Sequence, residues 1–292
     1  MTDPAVLTAS ITPTAPRPLE PPFVLPPSVE LREGIVFAQP DGQPLECQLF
    51  LPRERDAAPR PGIVWVHGGG WRNKAMEGRV LWRQAAHLAS LGYPGVNITY
   101  RLTPTHQFPA QVEDVQSGVR WVRQHAAELG IDPQRIGTAG ESAGGHLAAL
   151  LATTDAPIDG VSSRVQALVA IYGVFDFLGL KSQGSTGARE ALLGGDPAHA
   201  AEGSPLWERA RAASPLYHAG ATTPPTLLLH GTADDLVFFD QSVRFHQRLR
   251  ELGVRAELIP GEGGGHGHIH RPPHYGPALE QMTTFLKDVL GQ

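Results

Sequence analysis

Apolar residues along this chain fall into short runs that alternate with longer, periodic stripes. Residues 29–38 and 45–51 read as strands on either side of the turn pair Asp41-Gly42, so the folded part opens with an antiparallel hairpin. The run Ile63-Val64-Trp65-Val66 is a buried strand leading into a glycine cluster, 78–91 reads as a helix, and 96–100 as a strand. Val112, Val115, Val119, Val122, Ala126 and Leu129 recur at helical spacing, which predicts an amphipathic helix over 109–129 with a proline at its start. Strands follow at 135–139, 165–172, 226–230 and 254–259, and helices at 146–152, 241–252 and 277–290. Alternating strands and helices imply parallel pairing with right-handed crossovers, so the fold class is α/β with an antiparallel start.

Two stretches break this rhythm. Residues 1–28 hold six prolines between Pro16 and Pro27, and are expected to be an extended or disordered arm ahead of a 29–292 domain. Residues 173–225 are rich in glycine and proline with short helical pieces. A segment that long and irregular inside a compact domain usually serves a purpose, and it is expected to be a cap or insert.

Composition narrows the possibilities. The chain has 292 residues, 41% of them hydrophobic and 18% charged, enough for one large domain with a sizeable core. A net charge of −5 argues against a basic face that grips nucleic acid. Cys47 is the only cysteine, which excludes an intramolecular disulfide and a cysteine-based zinc site. No apolar run approaches the ~20 residues that span a bilayer, and residues 1–27 lack a basic start followed by an apolar stretch. A cytoplasmic location is therefore expected.

The chemistry is concentrated at four places. Gly140-Glu141-Ser142-Ala143-Gly144 matches G-x-S-x-G, with a strand before and a helix after, the context that lifts a serine onto a strained turn. His67-Gly68-Gly69-Gly70-Trp71 follows the 63–66 strand. Its glycines let backbone N–H groups turn toward a ligand, so Gly69, Gly70 and Ala143 are the expected oxyanion donors. An acid and then a base should follow the serine along the chain. Asp234, with Asp235 as runner-up, follows the 226–230 strand. His266, with His268 as its main rival, lies on the glycine-rich loop after 254–259. His270 and His274 read as exposed loop residues, and the spacing of these histidines is not that of a common metal site.

Neighbouring residues receive more modest roles. His67 reads as a support for the glycine loop, and Glu141 as holding a nearby loop by hydrogen bonds. Arg101 and Asp114 are expected to form a structural ion pair rather than a substrate contact. Trp82 and Phe108 belong to the core, whereas Trp71, beside the oxyanion loop, is the candidate for substrate contact.

The motifs above, with Tyr100-Arg101-Leu102, Phe108-Pro109-Ala110, Gly144-Gly145-His146 and His230-Gly231-Thr232-Ala233-Asp234, resemble the α/β-hydrolase esterases related to hormone-sensitive lipase. The similarity is strongest to their bacterial acetyl- and feruloyl-esterase-like branch, BD-FAE, near the arylformamidases, and covers roughly residues 31–290. It implies an eight-stranded, mostly parallel sheet and a Ser142–Asp234–His266 triad that needs no cofactor or metal. It also implies a small-molecule ester substrate with a short acyl or feruloyl-type group. Many relatives carry Gly-His-Gly-Phe around the base, where this chain has Gly265-His266-Gly267-His268. An arylformamidase-like amide hydrolase is the rival enzyme reading, and an inactive hydrolase-fold binding protein the rival outside enzymes. Oligomeric state stays open, a homodimer among the options.

Overall fold

The computed structural model describes residues 23–54, 58–72, 80–180 and 187–291. The first 22 residues of the expected N-terminal arm lie outside the described residues. In the remainder of the arm Phe23 and Leu25 pack against the second core cluster, Phe23 standing edge-on to Trp82 at 5.6 Å between centroids, while Val24 is exposed.

Eight strands form one sheet in the order β1-β2-β4-β3-β5-β6-β7-β8. They are β1 (Val29–Ala38), β2 (Leu45–Pro52), β3 (Arg60–Val66), β4 (Gly95–Ile98), β5 (Ile131–Glu141), β6 (Ala167–Ile171), β7 (Thr226–Gly231) and β8 (Ala256–Gly261). β2 pairs antiparallel with both β1 and β4, and the other pairs are parallel. This is the α/β-hydrolase fold, with the antiparallel entry that the hairpin pattern predicts.

The helices are α1 (Trp82–Ser90), α2 (Ala110–Gln124), α3 (Ala126–Leu129), α4 (Ala143–Thr153), α5 (Ala188–Leu193), α6 (Pro205–Ala212), α7 (Pro215–His218), α8 (Asp240–Glu251) and α9 (Tyr275–Leu290). The helix expected over 109–129 divides at His125, whose Nδ1 bonds the Trp121 carbonyl at 2.9 Å and whose ring stacks on the Trp121 indole. The strand expected over 96–100 stops at Ile98.

Strand alternation sorts the core onto two faces. On β3, Val64 and Val66 join a cluster built with α2, α4 and α8, while Ile63 and Trp65 join a second cluster built with α1 and α9. On β6, Leu168 and Ala170 take the first face, and Ala167, Val169 and Ile171 the second. Each fully buried large apolar side chain contributes about 1.5–3 kcal/mol of transfer free energy, so these alternating rows fix the strand register. The described residues of the 173–225 segment, 173–180 and 187–225, are packed onto the domain. Leu192, Leu193, Ala210 and Ala213 are fully buried in the first cluster. Ser214 Oγ accepts from the Phe177 amide at 2.9 Å and ties the far part of the segment back to its beginning.

Candidate active site

Every candidate residue lies at the carboxyl edge of the parallel strands. β3 ends at Val66 before the 67–71 loop, β5 at Glu141 before Ser142, β7 at Gly231 before Asp234, and β8 at Gly261 before His266. Parallel strands share one carboxyl edge, so residues far apart in sequence meet there.

The turn carrying Ser142 is enforced by backbone contacts. Ser142 has φ 52° and ψ −120°, a conformation that costs on the order of 1–3 kcal/mol and persists only where the surroundings demand it. A Cβ on Gly140 would collide with the Gly144 carbonyl, one on Gly144 with the Val66 carbonyl, and one on Gly145 would lie 2.9 Å from the Ile171 carbonyl. The Ser142 amide donates to Ile171 O at 2.9 Å, which pins the turn to β6.

Ser142 Oγ lies 3.0 Å from His266 Nε2, and His266 Nδ1 lies 2.8 Å from Asp234 Oδ2. Asp234 Oδ1 accepts from the amides of Leu236 and Val237 at 3.0 and 2.9 Å. A second imidazole, His230, brings Nε2 within 3.3 Å of Asp234 Oδ2 and 2.8 Å of Val237 O. That nitrogen faces two acceptors, so it carries the proton, and Nδ1 receives the Ser242 hydroxyl at 2.7 Å. Burial alone would raise the Asp234 carboxyl. The hydrogen bonds from His230 and His266, the charge of His266 and the Val237 amide outweigh it and hold the carboxyl well below the usual carboxylate range. Asp235 is exposed and does not join this chain of contacts.

His268 does not reach the serine. It is buried against Tyr172 and His274, at 5.7 and 5.2 Å between centroids, and burial, the largest effect, lowers it to about 4. His270 and His274 are not exposed as expected. Both are half-buried, and His270 Nε2 donates to Glu141 Oε2 at 2.6 Å. Glu141 thus holds a neighbouring loop by a hydrogen bond, as its position suggests, but its partner lies 129 positions away and carried no signal in the sequence. Among the described residues no group of three or more His, Cys, Asp or Glu side chains is arranged to hold a metal ion.

The 67–71 loop passes directly under the serine turn. A Cβ on Gly68 would lie 3.3 Å from Ser142 Cβ, and Gly69 and Gly70 have φ of 105° and 61°. Ala143 opens α4, where the first amides have no acceptor within the helix. Tyr100 braces the loop, its hydroxyl donating to the carbonyls of His67 and Gly68 at 2.9 and 3.2 Å while its ring stacks on His67. Burial lowers His67 to about 4, so it stands as a neutral support.

Trp71 departs from expectation. Its indole is 5% exposed, packs on Phe177, and donates to His146 Nδ1 at 3.1 Å. Its backbone stands at φ 57°, and the side chain is buried in the first core cluster. His146 passes the contact on, its Nε2 donating to Ala213 O at 2.7 Å, so α4, the glycine loop and the 173–225 segment are joined through one buried ring. Arg101 and Asp114 form the expected ion pair at 2.9 Å. Trp82 is buried in the second cluster, and Phe108 packs against the first.

Residues 47–249 match the BD-FAE family model. The chain belongs to the BD-FAE family. Among similar proteins is LipM of Mycobacterium tuberculosis, named a probable carboxylic ester hydrolase. It is 35% identical over 68% of this chain and 48% of its own length. Esterase LipC of the same organism is 28% identical over 88% of this chain and 65% of its own. The chain thus spans about half to two thirds of the length of these curated relatives. Among solved structures, esterase Est2 of the planctomycete Thermogutta terrifontis superposes with a TM-score of 0.73. It is 31% identical and covers 91% of this chain and 94% of its own. A truncated carbohydrate esterase from gut microbiota has a TM-score of 0.75 at 24% identity, covering 90% of this chain and 97% of its own, and shows the fold alone.

Proposed function

We propose that this BD-FAE protein is a serine carboxylic-ester hydrolase working through an acyl-enzyme. The observation that carries the reading is the continuous chain Asp234–His266–Ser142 beside the glycine loop. His266 Nε2 takes the proton from Ser142 Oγ as that oxygen bonds to the ester carbonyl carbon. The negative charge that develops on the carbonyl oxygen is met by the N–H groups of Gly69, Gly70 and Ala143. His266 then gives its proton to the departing alcohol as the C–O bond breaks. Water, deprotonated by the same imidazole, releases the acid and restores Ser142. Asp234, hydrogen-bonded on its other oxygen and beside His230, orients the ring and stabilises its cation.

The substrate class is a small ester with a short acyl group, or a feruloyl-type acyl group at the larger end. Structures of Thermogutta terrifontis esterase 2 with propionate and with butyrate bound support the short acyl group, and its phosphonylation by sarin supports a reactive nucleophile. The 173–225 segment is assigned as the cap that sets acyl length. A Cβ on Gly70 would lie 3.4 Å from the Ala188 Cβ at the start of α5, so this segment borders the oxyanion loop.

The test is turnover of p-nitrophenyl acetate by the wild type and by Ser142→Ala, which is expected to lose about 10⁶-fold in kcat by analogy with serine proteases. Retained turnover in a folded Ser142→Ala protein contradicts the reading. N-formylkynurenine in a parallel assay separates amide from ester chemistry, and an inert wild type would favour a binding protein.

A further inference from the structure

One buried carboxylate beside the nucleophile has no part in the acyl transfer above. Glu141 ends β5 one residue before Ser142 and is 8% exposed. Its Oε2 accepts from the Tyr172 hydroxyl at 2.5 Å and from His270 Nε2 at 2.6 Å. The other oxygen faces the glycine loop, since a Cβ on Gly68 would lie 3.0 Å from Oε1. The Tyr172 ring in turn packs on His266 with centroids 4.6 Å apart. One side chain therefore touches the serine turn, the oxyanion loop, the end of β6 and the base loop. A buried anion is costly unless paired and fully hydrogen-bonded, and here its partners come from the loop that must hold the base.

We propose that Glu141 and His270 are a second acid–base pair, a latch that fastens the base loop to the serine turn and holds a negative charge facing the imidazolium that forms on His266. Both are positioning residues, and the inference rests on the reading of Ser142, His266 and Asp234 as the acyl-transfer triad. His266 is faced by Asp234 from the loop after β7 and by the Tyr172 ring just after β6, and it interacts through charge with Glu141 at the end of β5. Glu141 is faced by His270, Tyr172 and His266, with His67 and Tyr100 on the oxyanion side. Burial would raise the Glu141 carboxyl, but the charge and hydrogen bond of His270, the Tyr172 hydroxyl and the charge of His266 lower it, which keeps it ionised.

Two variants read the two halves of the latch. Glu141→Gln keeps the shape and an acceptor oxygen but removes the charge. It is expected to lower kcat on p-nitrophenyl acetate by about tenfold with KM nearly unchanged. It is also expected to move the acid limb of the kcat/KM profile to lower pH by about one unit, because the imidazolium loses a facing anion. His270→Gln is expected to speed amide hydrogen exchange across residues 262–271 while residues 140–146 keep wild-type protection. Because the two residues act as one unit, the double variant should be no slower than the slower single one. An acid limb at the wild-type position in Glu141→Gln, or unchanged exchange in His270→Gln, overturns the latch. A wild type that turns over no ester sinks the triad reading instead, and the exchange measurement still decides whether the loop is latched.

Discussion

The serine turn and the base loop both bring a catalytic candidate to the same edge of the sheet, yet they are held in opposite ways. At 140–145 three glycines sit where any side chain would strike backbone, and the turn is locked by the carbonyls of Val66, Gly144 and Ile171. At 262–271, Gly263 and Gly267 have nothing near their missing Cβ, and Gly265 has only the Ala233 carbonyl at 3.9 Å. Gly264 alone is crowded, by the His268 side chain at 2.8 Å and the Gly261 carbonyl at 3.0 Å. The base loop is fastened by side chains, His266 to Asp234 and His270 to Glu141, with short backbone bonds such as Ala233 N to Gly264 O. A nucleophile must be fixed in a strained conformation, whereas a base that trades protons needs orientation, which hydrogen bonds supply.

The largest effect that would sharpen this contrast is loss of the orienting acid. Asp234→Asn leaves the shape but lets the imidazole adopt the wrong tautomer, with kcat expected to fall by about 10⁴-fold. Steady-state kinetics on p-nitrophenyl acetate check it, and a loss below about tenfold would mean that the loop orients its base without Asp234.

Acid should loosen both sides, the serine turn and oxyanion loop through His67 and His146 and the base loop through His268. Burial, the dominant cause, lowers His67 and His146 to about 4, against about 6.5 for an unfolded imidazole. Above pH 6.5 both states are neutral and these rings contribute nothing to pH dependence. Between about 6.5 and 4 the unfolded chain binds protons that the folded chain refuses, so stability falls as pH falls. The ceiling is about 3 kcal/mol for each ring by pH 4. Urea midpoints measured from pH 7.5 to 4.5 should drop steeply below 6.5, and a flat midpoint would contradict neutral buried rings.

Paired glycine substitutions test the difference directly. Gly144→Ala drives a methyl into the Val66 carbonyl and should cost about 3 kcal/mol or more. Gly267→Ala meets open space, and the cost should be about 1 kcal/mol for an alanine at φ 81°. Equal urea midpoints for the two variants would erase the distinction. The smallest effect is expected from His268→Phe. It removes a buried Nδ1 that has no partner and should leave kcat within about tenfold of wild type. A loss on the scale of Ser142→Ala would make His268 the base.

The same contrast explains what could be read from sequence. A turn locked by backbone clashes must be written in glycines at fixed spacing, so Gly140, Gly144 and Gly145 and the strand–helix context announce Ser142. A loop held by side chains leaves several candidates. Three histidines within five positions look alike until the fold places Asp234 and Glu141 opposite two of them. The Glu141–His270 contact and the inward turn of Trp71 onto His146 depend on residues 129 and 75 positions apart, which no local pattern encodes. The helices α6 and α7 were legible in principle. Ser204-Pro205 and Ser214-Pro215 carry the cap-then-proline signature, and Ser204 Oγ does accept from the Trp207 amide at 3.2 Å. The split at His125 was not legible, because a side chain that interrupts its own helix carries no distinct pattern.

The central claim is that Ser142 is the nucleophile. Treatment of the wild type with a fluorophosphonate, followed by proteolysis and peptide mass analysis, tests it most directly. The account predicts one phosphonyl adduct on the peptide containing Ser142, at a rate that falls sharply in Asp234→Asn. Full modification at another residue, or an unmodified Ser142 in a folded and ester-hydrolysing protein, would contradict it.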